Sequence, residues 1–445
     1  MTARDVARAV LARVERGGWA TPSLAAALAA SGMDARDRRL AAELTYGVLR
    51  HQARLDRALA AYADLSRTPP AVIIALRVAA YQLLVLDRIP PHAAVDDAAS
   101  AARAIGGAKL AGFANAVLRR LASAGEPPLP AGDRRRTLEL TWSTPRWILD
   151  EIERALAVGD AEVPAEELAK AVEAMNSAPP LWLRVNPRRA TKEAMASELA
   201  ALLGTNPSST SLADLALDAT GLPDPEGSPQ IAAGKVTVQD LGAQLIGLLV
   251  DAEPGQMILD GCAGHGGKAT HQAELTDDRA TIHAVDLGAD KLRRLAASAR
   301  RLGLTSIRTF PGELATVAGL ADTYDRVLLD APCSGLGVLR RHPEAKWRLV
   351  PADVERSVAT QRALLDAVAP RVAVGGMLVY AVCSVALAEG PAQIEAFIAR
   401  HPTFAIAPPN GSRWDGLLDS HGGVRLWPHR HKADGFYAAR LIRTA

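Results

Sequence analysis

The segment MILDGCAGHGGKATHQAELTDDRATIHAVD, residues 257–286, places a glycine-rich loop and a helical stretch between two apolar runs. The runs MILD (257–260) and TIHAVD (281–286) are typical of buried strands, and the loop follows the first run and opens the helix. This order predicts a strand, a ligand-binding turn and a helix that returns to a parallel strand. The segment therefore indicates an α/β sheet that binds ligands at the carboxyl ends of its strands.

Three further strand-like runs continue the pattern toward the carboxyl terminus: IRTF (307–310), RVLLD (326–330) and MLVYAVCS (377–384). Each is followed by a helical pattern, and such alternation predicts a doubly wound parallel sheet from Val236 onward.

The glycine-rich loop is a candidate cofactor site. Gly264, Gly266 and Gly267 allow a ligand to approach backbone amides closely, and Asp286 at the end of the next strand is placed to accept the two hydroxyls of a ribose. Gly264-x-Gly266-x-x-Ala269, with an acid 20 residues beyond Gly266, also fits a relaxed dinucleotide fingerprint. On this loop alone a dehydrogenase remains open, as does a structural turn without a ligand.

Two cysteines indicate which reaction this site could carry out. Cys333 in RVLLDAPCSG and Cys383 in GMLVYAVCSV each follow a strand-like run, so neighbouring strands would bring both thiols and Asp330 together. A thiolate can add to C6 of cytosine and make C5 a nucleophile that accepts a methyl group from a sulfonium. A protonated Asp330 would suit activation of N3, and positive charge from Lys268 would help the attacking thiol to ionise. For one cysteine alone, burial as a small hydrophobe is the commoner outcome.

Composition limits the protein class. A chain of 445 residues is long enough for two or three domains, and its three cysteines form no CxxC pair, so neither a disulfide framework nor a metal site is expected. The longest apolar stretch, AVIIALRVAAYQLLVL (71–86), is interrupted by Arg77 and is too short to span a bilayer. The amino terminus lacks the apolar run of a signal peptide. We expect a cytoplasmic protein without a membrane segment.

Three domains are predicted from pattern and charge. Residues 1–130 follow a helical period and predict an all-α bundle; residues 131–235 contain a linker and a small α+β insert; residues 236–445 form the α/β domain. Residues 1–150 hold 21 Lys and Arg against 14 Asp and Glu, whereas the remainder holds 30 against 35. The basic half is a candidate RNA-binding surface, although 43 of the 51 basic residues are Arg, which is equally consistent with a compositional habit.

Two further basic segments predict contacts with RNA. Arg340 to Pro343 and Lys346 to Arg348 interleave basic and aromatic side chains after the first thiol, and LRVNPRR (183–189) adds basic residues in the insert. For the first of these segments, a solvated loop is the alternative interpretation.

In these motifs the chain resembles the bacterial ribosomal RNA cytosine-5 methyltransferases of the RsmB (Sun, Fmu) type, within the NOL/NOP/Sun class. The resemblance covers nearly the whole length. It includes, in the order of the family, LRVNPRR, TVQDLGAQL, ILDGCAGHGGKATH, LLDAPCSGLGVLRRHPEAKWR, YAVCSV and DGFYAARL. The helical region is similar to the RNA-binding factor NusB in RDRRLAAELTYGVLR, LRVAAYQLLVLDRIPPHAAVDDA and GFANAVLRRL.

The resemblance implies a role for each candidate site residue. Cys383 would be the nucleophile, Cys333 would assist release of the methylated base, and Asp330 would meet the base and line the cofactor pocket. Asp286 would bind the ribose of S-adenosylmethionine, with Glu313 near its adenine. The residues implied to wrap the cofactor are Cys262, Ala263, Gly264, His265, Gly266, Gly267 and Lys268.

The resulting hypothesis is a monomeric, S-adenosylmethionine-dependent enzyme that methylates C5 of one cytidine in 16S ribosomal RNA. One alternative is the same chemistry on transfer RNA or another RNA. A second is an RNA-binding assembly protein whose methyltransferase half has lost catalysis. The dehydrogenase is remote at this point, since it explains neither thiol.

Overall fold

The protein, described from a computed structural model, divides into two compact units. The structure describes residues 1–130, 132–157, 162–222, 225 and 227–445. The first unit comprises Met1–Glu153, Glu162–Ala178 and Leu339–Leu349, and the second comprises Arg154–Ala161, Pro179–Val338 and Val350–Ala445. Within the described ranges, no helix has both the length and the apolarity that crossing a membrane requires. The domain boundaries suggested by the sequence stay a prediction.

The first unit is built from helices. They are α1 (Ala3–Glu15), α2 (Ala20–Ala29), α3 (Ala35–Arg50), α4 (Gln52–Ala60), α5 (Pro70–Leu84), α6 (Pro91–Ala124), α7 (Arg134–Thr141), the first part of α8 (Arg146–Leu156) and α9 (Ala165–Asn176), with a short 3₁₀ turn at Leu65–Arg67. A capping box starts α1: Thr2 Oγ1 accepts from the Asp5 amide, and the Asp5 carboxylate accepts from the Thr2 amide. The predicted helical bundle is confirmed.

The periodic apolar residues of α6 face the core of the bundle. Ala114, Val117, Leu118 and Leu121 are buried there, as the helical spacing predicts. Upstream, the helix is kinked at the pair Gly106 and Gly107, where Gly107 has a φ of +73° that only glycine adopts easily.

The segment Leu339–Leu349 belongs to the first unit, although its neighbours in sequence belong to the second. Its 3₁₀ turn, Pro343–Trp347, is anchored to α3 and α9 because the buried Lys346 ammonium donates to the carbonyl of Arg50 at 3.0 Å and to Asn176 Oδ1 at 2.5 Å. Burial, with the Arg50 charge, lowers the pKa of Lys346 to about 7.

Other side chains of this segment are also used in anchoring. Trp347 Nε1 donates to the Leu49 carbonyl, Arg348 donates to the Val14 carbonyl, and Glu344 accepts from the Ala20 amide. The prediction of an RNA surface is wrong for Lys346–Arg348, because these side chains bind other groups within the unit, and for Arg340–Pro343 it stays a prediction.

A small antiparallel sheet forms the insert in the second unit. Its strands run in the order β2, β3, β1, β4, and every pair is antiparallel. The elements are β1 (Trp182–Val185), α10 (Lys192–Leu203), β2 (Ser208–Ser209), β3 (Ala216–Asp218), α11 (Pro229–Ala232) and β4 (Val236–Val238). This is the predicted α+β insert, and its last strand lies just beyond residue 235.

The larger sheet has the order β10, β12, β9, β8, β5, β6, β7, with β11 paired to β12. Its elements are α12 (Leu241–Leu249), β5 (Met257–Asp260), α13 (Gly267–Leu275), β6 (Thr281–Asp286), α14 (Ala289–Leu302), β7 (Ile307–Pro311), β8 (Tyr324–Asp330), α15 (Pro351–Val368), β9 (Val372–Val382), α16 (Pro391–Arg400), β10 (Phe404–Ile406), β11 (Val424–Leu426), α17 (Pro428–His431) and β12 (Phe436–Arg443), with 3₁₀ turns at Ala369–Arg371 and Ser412–Trp414. Strands β5 to β9 are parallel and β12 is antiparallel to β9. The predicted Rossmann-like fold is confirmed.

Chain order reverses between β5 and β8, which are neighbours in the sheet although β6 and β7 intervene in sequence. Ligands of doubly wound folds bind at such a switch point, beyond the carboxyl ends of the strands. The strands that end there are β5 at Asp260 and β8 at Asp330.

Arg184 of β1 connects the insert to α13 through a buried ion pair. Its side chain is fully buried, and its Nε lies 2.7 Å from Glu274 Oε2, while Nη1 donates to the Gly267 carbonyl at 2.9 Å. The neighbouring Arg188 and Arg189 donate to the carbonyls of residues 303 and 302. The prediction that LRVNPRR offers a basic RNA patch is wrong for the buried Arg184, and for the exposed Arg188 and Arg189 it stays a prediction.

We predict that Arg184→Ala lowers the free energy of unfolding by ~3–5 kcal/mol, because it leaves the Glu274 carboxylate buried without its cation. Urea denaturation followed by circular dichroism measures the loss. Arg293→Ala is the matched control, since the Arg293 side chain is 73% exposed on α14. Equal unfolding midpoints for the two variants would contradict the role given to the buried pair.

Candidate active site

The candidate site lies where the parallel strands end. Asp260 ends β5, Asp286 ends β6, Asp330 ends β8, and Cys383 follows directly after β9. Strand β9 stops at Val382, so the second thiol stands on a turn rather than inside the predicted strand. Because the strands run in parallel, these side chains share one edge of the sheet.

The two thiols are in contact. Cys333 Sγ lies 3.3 Å from Cys383 Sγ, and the Gly337 amide donates to the Cys383 carbonyl at 3.0 Å. The hydrogen bond to Cys383 and burial raise the pKa of Cys333 well above its ordinary value, and the charge of Glu389 adds to the effect. The fold thus brings together the two cysteines that the sequence singles out and keeps Cys333 as a thiol.

An ion pair lies beside the thiols. Lys268 Nζ is 2.5 Å from Asp330 Oδ2 and 5.7 Å from the centroid of the Phe436 ring. Burial lowers the pKa of Lys268, but Asp330, Cys383 and Asp260 together raise it by more, so that the pKa lies above its ordinary value. The partner of Asp330 is thus a cation, and its role in activating N3 stays a prediction.

Backbone hydrogen bonds to the neighbouring strands hold the glycine-rich loop in place. The Gly261 amide donates to the Leu328 carbonyl at 2.8 Å, and the Ala263 amide donates to the Val285 carbonyl at 2.9 Å. Gly264 and Gly266 have φ values of +55° and +82°, and a Cβ on Gly264 would meet no atom within 4 Å. The loop therefore presents an open backbone surface at the start of α13, as a cofactor cradle requires.

Other loop residues differ in what they face. Cys262 packs against the apolar core of the sheet, and burial raises the pKa of its thiol to about 12. It can thus contribute its backbone but not a reactive sulfur. His265 is exposed, and partial burial with Arg294 and Lys291 lowers the pKa of its ring, which is therefore neutral at neutral pH.

Asp286 organises the next strand end. Its carboxylate accepts from the Gly264 amide at 3.0 Å and from the Gly288 amide at 2.7 Å, and Lys291 Nζ lies 3.3 Å away. Glu313 is exposed just after β7, which pairs with the strand that Asp286 ends. Both acids thus border the glycine-rich loop or its neighbouring strand end.

Asp260 was not assigned a role of its own from the sequence. It is 1% exposed, and within the described part of the chain neither of its carboxylate oxygens has a hydrogen-bond partner. Burial raises the pKa of Asp260 to about 7, with repulsion from Asp330 adding to the shift. An unpartnered buried carboxyl at the floor of a glycine-rich loop is a feature expected of a site that receives a polar ligand.

No group of three or more His, Cys, Asp or Glu side chains among the described residues is arranged to hold a metal ion.

Comparisons with known proteins place this architecture. Residues 247–442 match the family described as 16S rRNA methyltransferase RsmB/F, residues 1–123 match the NusB family, and residues 144–217 match the ferredoxin-like domain of RsmF/B-like methyltransferases. A probable ribosomal RNA small subunit methyltransferase B from Synechocystis sp. is 35% identical, with 99% of each chain covered. The chain belongs to the RsmB/F family.

Further relatives agree with this placement. The ribosomal RNA small subunit methyltransferase B of Pectobacterium atrosepticum is 33% identical, covering 92% of this chain and 91% of its own. The crystal structure of PH0851 covers 99% of both chains at 25% identity with a TM-score of 0.81. The three-part architecture of this RsmB/F member is thus shared over its full length.

A hydrogen-bonded network beneath the thiols of this RsmB/F protein was missed by the sequence analysis. The buried Glu389 carboxylate accepts from the Ser334 amide, from the hydroxyls of Ser334 and Ser384, and from Gln361 Nε2. The signal in the sequence was the Cys-Ser pair, which occurs after both β8 and β9. Nothing local in the sequence pointed to Glu389 or Gln361 as their common partner.

We predict that Gly266→Ala destabilises the protein more than Gly264→Ala, its matched control. Both substitutions put a side chain at positive φ, at a cost of ~1–2 kcal/mol, but only the Gly266 Cβ would clash, lying 2.2 Å from Leu295 Cγ. The clash should add ~1–3 kcal/mol. Thermal and urea unfolding of both variants measure the difference, and equal losses would contradict it.

Proposed function

We propose that this protein transfers a methyl group from S-adenosylmethionine to C5 of a cytidine in 16S rRNA, through a covalent bond between Cys383 and the base. The observation that carries the proposal is the approach of Cys333 Sγ to 3.3 Å from Cys383 Sγ beside the Lys268 and Asp330 ion pair. A dehydrogenase would need neither thiol. Membership of the RsmB/F family supports the same reaction class.

The residues around the glycine-rich loop fit S-adenosylmethionine. The open backbone at Gly264, the Asp286 carboxylate and the unpartnered Asp260 supply amide donors and acidic acceptors at adjoining strand ends. In this assignment residues 262–268 would wrap the cofactor, Asp286 would bind its ribose, Glu313 would lie near its adenine, and Asp330 would line the pocket. When bound, S-adenosylmethionine supplies an electrophilic methyl group on a sulfonium.

Attack begins with the thiolate of Cys383. The target cytidine must leave its stack for its ring to reach a pocket between two strand ends. Cys383 Sγ then adds to C6, and the displaced ring electrons make C5 the nucleophilic position. The ammonium of Lys268 interacts electrostatically with Cys383, which supports placing the attack at this thiol.

Release reverses the addition. After methylation a proton leaves C5, the bond between C6 and Cys383 Sγ breaks, and its electron pair returns to the sulfur of Cys383. Cys333 stands in contact with that sulfur and is held as a thiol, so its S–H can stabilise the departing thiolate by a hydrogen bond. Cys333 therefore assists elimination.

The RNA partner is assigned from charge. Residues 1–150 carry 21 basic against 14 acidic side chains, which suits attraction to phosphates. The helical unit would grip RNA as a monomer in the cytoplasm, where ribosomal subunits are assembled in bacteria. Methylation assays on separated RNA pools, followed by nucleoside analysis, distinguish 16S rRNA from transfer RNA as the substrate.

We predict that Cys383→Ala abolishes turnover, because Cys333, the thiol in contact with it, is held protonated by its raised pKa, whereas Cys333→Ala turns over slowly and accumulates a protein–RNA adduct. Denaturing gels with labelled RNA detect the adduct, and nucleoside analysis detects 5-methylcytidine. Cys262→Ala is the matched control, since its sulfur packs into the core.

Two results would overturn the proposal. An adduct formed by Cys383→Ala would exchange the roles of the thiols. Failure to bind S-adenosylmethionine in calorimetry, with RNA binding intact, would favour an assembly protein without catalysis.

A further inference from the structure

The carboxylate of Glu389 joins the two turns that carry the thiols. It lies between β9 and α16 and is fully buried. Its Oε1 accepts from the Ser334 amide at 2.8 Å and from Gln361 Nε2 at 3.0 Å, and its Oε2 accepts from Ser384 Oγ at 2.5 Å and from Ser334 Oγ. All of these contacts come from donors, as an acceptor-only carboxylate requires.

The partners of Glu389 are the immediate neighbours of the cysteines. Ser334 follows Cys333 and Ser384 follows Cys383, so one side chain holds both turns. The main chain behind Glu389 is held as well, because its carbonyl accepts from Tyr380 OH at 2.6 Å. Glu389 therefore helps to set the distance between the two sulfurs, together with the pairing of β8 and β9.

Hydrogen bonds stabilise the buried carboxylate of Glu389. Among the described residues Glu389 has no cation within ion-pair distance, and a buried charge without one is costly unless hydrogen bonds compensate it. Its donors supply that compensation, and an apolar side chain would leave them unsatisfied. The same carboxylate also places a negative charge close to Cys333.

We propose that Glu389 is a positioning residue that holds the two cysteine turns in register and reserves Cys383 for attack and Cys333 for release. This inference rests on the proposed function. The negative charge of Glu389 lies on the side of Cys333, whereas the positive charge of Lys268 interacts with Cys383. Either sulfur could donate in the contact between the two thiols, and in this proposal the S–H of Cys333 donates to Cys383.

The groups that face Cys333 are few. They are Cys383 after β9, Glu389 before α16, Tyr380 within β9 and the amide of Gly335 on its own turn. Cys383, burial and Glu389 raise the pKa of Cys333, and the Gly335 amide lowers it. Replacing Glu389 by a neutral group thus lowers the pKa of Cys333, which exposes more thiolate at a given pH.

The test is Glu389→Gln, which keeps the shape and removes the charge. We expect kcat to fall about 10–100-fold, as a displaced catalytic group would cause, while the KM for RNA and the affinity for S-adenosylmethionine stay within twofold. Alkylation of Cys333 by iodoacetamide at pH 8, followed by mass spectrometry, should become faster. Glu355→Gln is the matched control, because that carboxylate is exposed on α15.

A second variant keeps the role of Glu389 testable if Glu389→Gln does not fold. Ser384→Ala removes one donor and leaves the charge, so it should lower kcat without accelerating alkylation of Cys333. If Glu389→Gln does not fold, Ser384→Ala tests the positioning role of Glu389. An unchanged kcat in Ser384→Ala would overturn that role, and a lowered kcat would support it.

The outcome separates this proposal from the proposed function. If Cys383→Ala is inactive while Glu389→Gln matches the wild type in kcat and in Cys333 alkylation, only the role of Glu389 falls. If Cys383→Ala remains active, the methylation mechanism falls, whatever Glu389 does.

Discussion

The parallel pairing of β8 with β9 is the constraint on which the site depends. In this register Asp330 lies opposite Ala381, and the Ala331 amide donates to the Ala381 carbonyl at 2.9 Å. The turns that follow therefore leave the sheet side by side, and their cysteines meet. Because side chains alternate along a strand, a slip of one residue would turn Asp330 to the opposite face. The sheet thus fixes the reacting groups before any ligand is bound.

Around this pairing, buried charges are compensated either by an ion pair or by hydrogen-bond donors. Lys268 and Asp330 neutralise one another, Glu389 is satisfied by hydrogen-bond donors, and Arg184 is paired with Glu274. In a medium of low dielectric these contacts are strong, and their loss leaves an isolated charge. The consequence is a rigid frame in which Arg184 supports the start of α13, the helix that carries Lys268. Such a frame suits chemistry that requires a flipped base to be held against a sulfur.

The arginine-rich composition has a structural use that charge counts do not reveal. Arg184 and Arg348 lie in basic segments that predict RNA-binding patches, yet their guanidinium groups donate to carbonyls and carboxylates within their own units. Arginine offers five donors in a planar fork, so it can satisfy several backbone carbonyls at a junction between elements. A basic segment in a sequence is consistent with either use, and only the location of its partners distinguishes them.

By itself the sequence determined the order and type of the elements, because periodicity, glycine punctuation and strand-end motifs are local properties. The helical bundle, the small insert, the glycine loop and the strands ending at Asp260, Asp286 and Asp330 all follow from such local signals. The motifs around Cys333 and Cys383 also indicated the family. What only the tertiary structure decided were the partners of side chains far apart in the chain. Three contacts depend in this way on strand order and burial: the ion pair of Lys268 with Asp330, the hydrogen bonds of Lys346, and those of Glu389 with two serines. No local pattern encodes those, because a hydrogen bond between distant residues exists only once the sheet has brought them together.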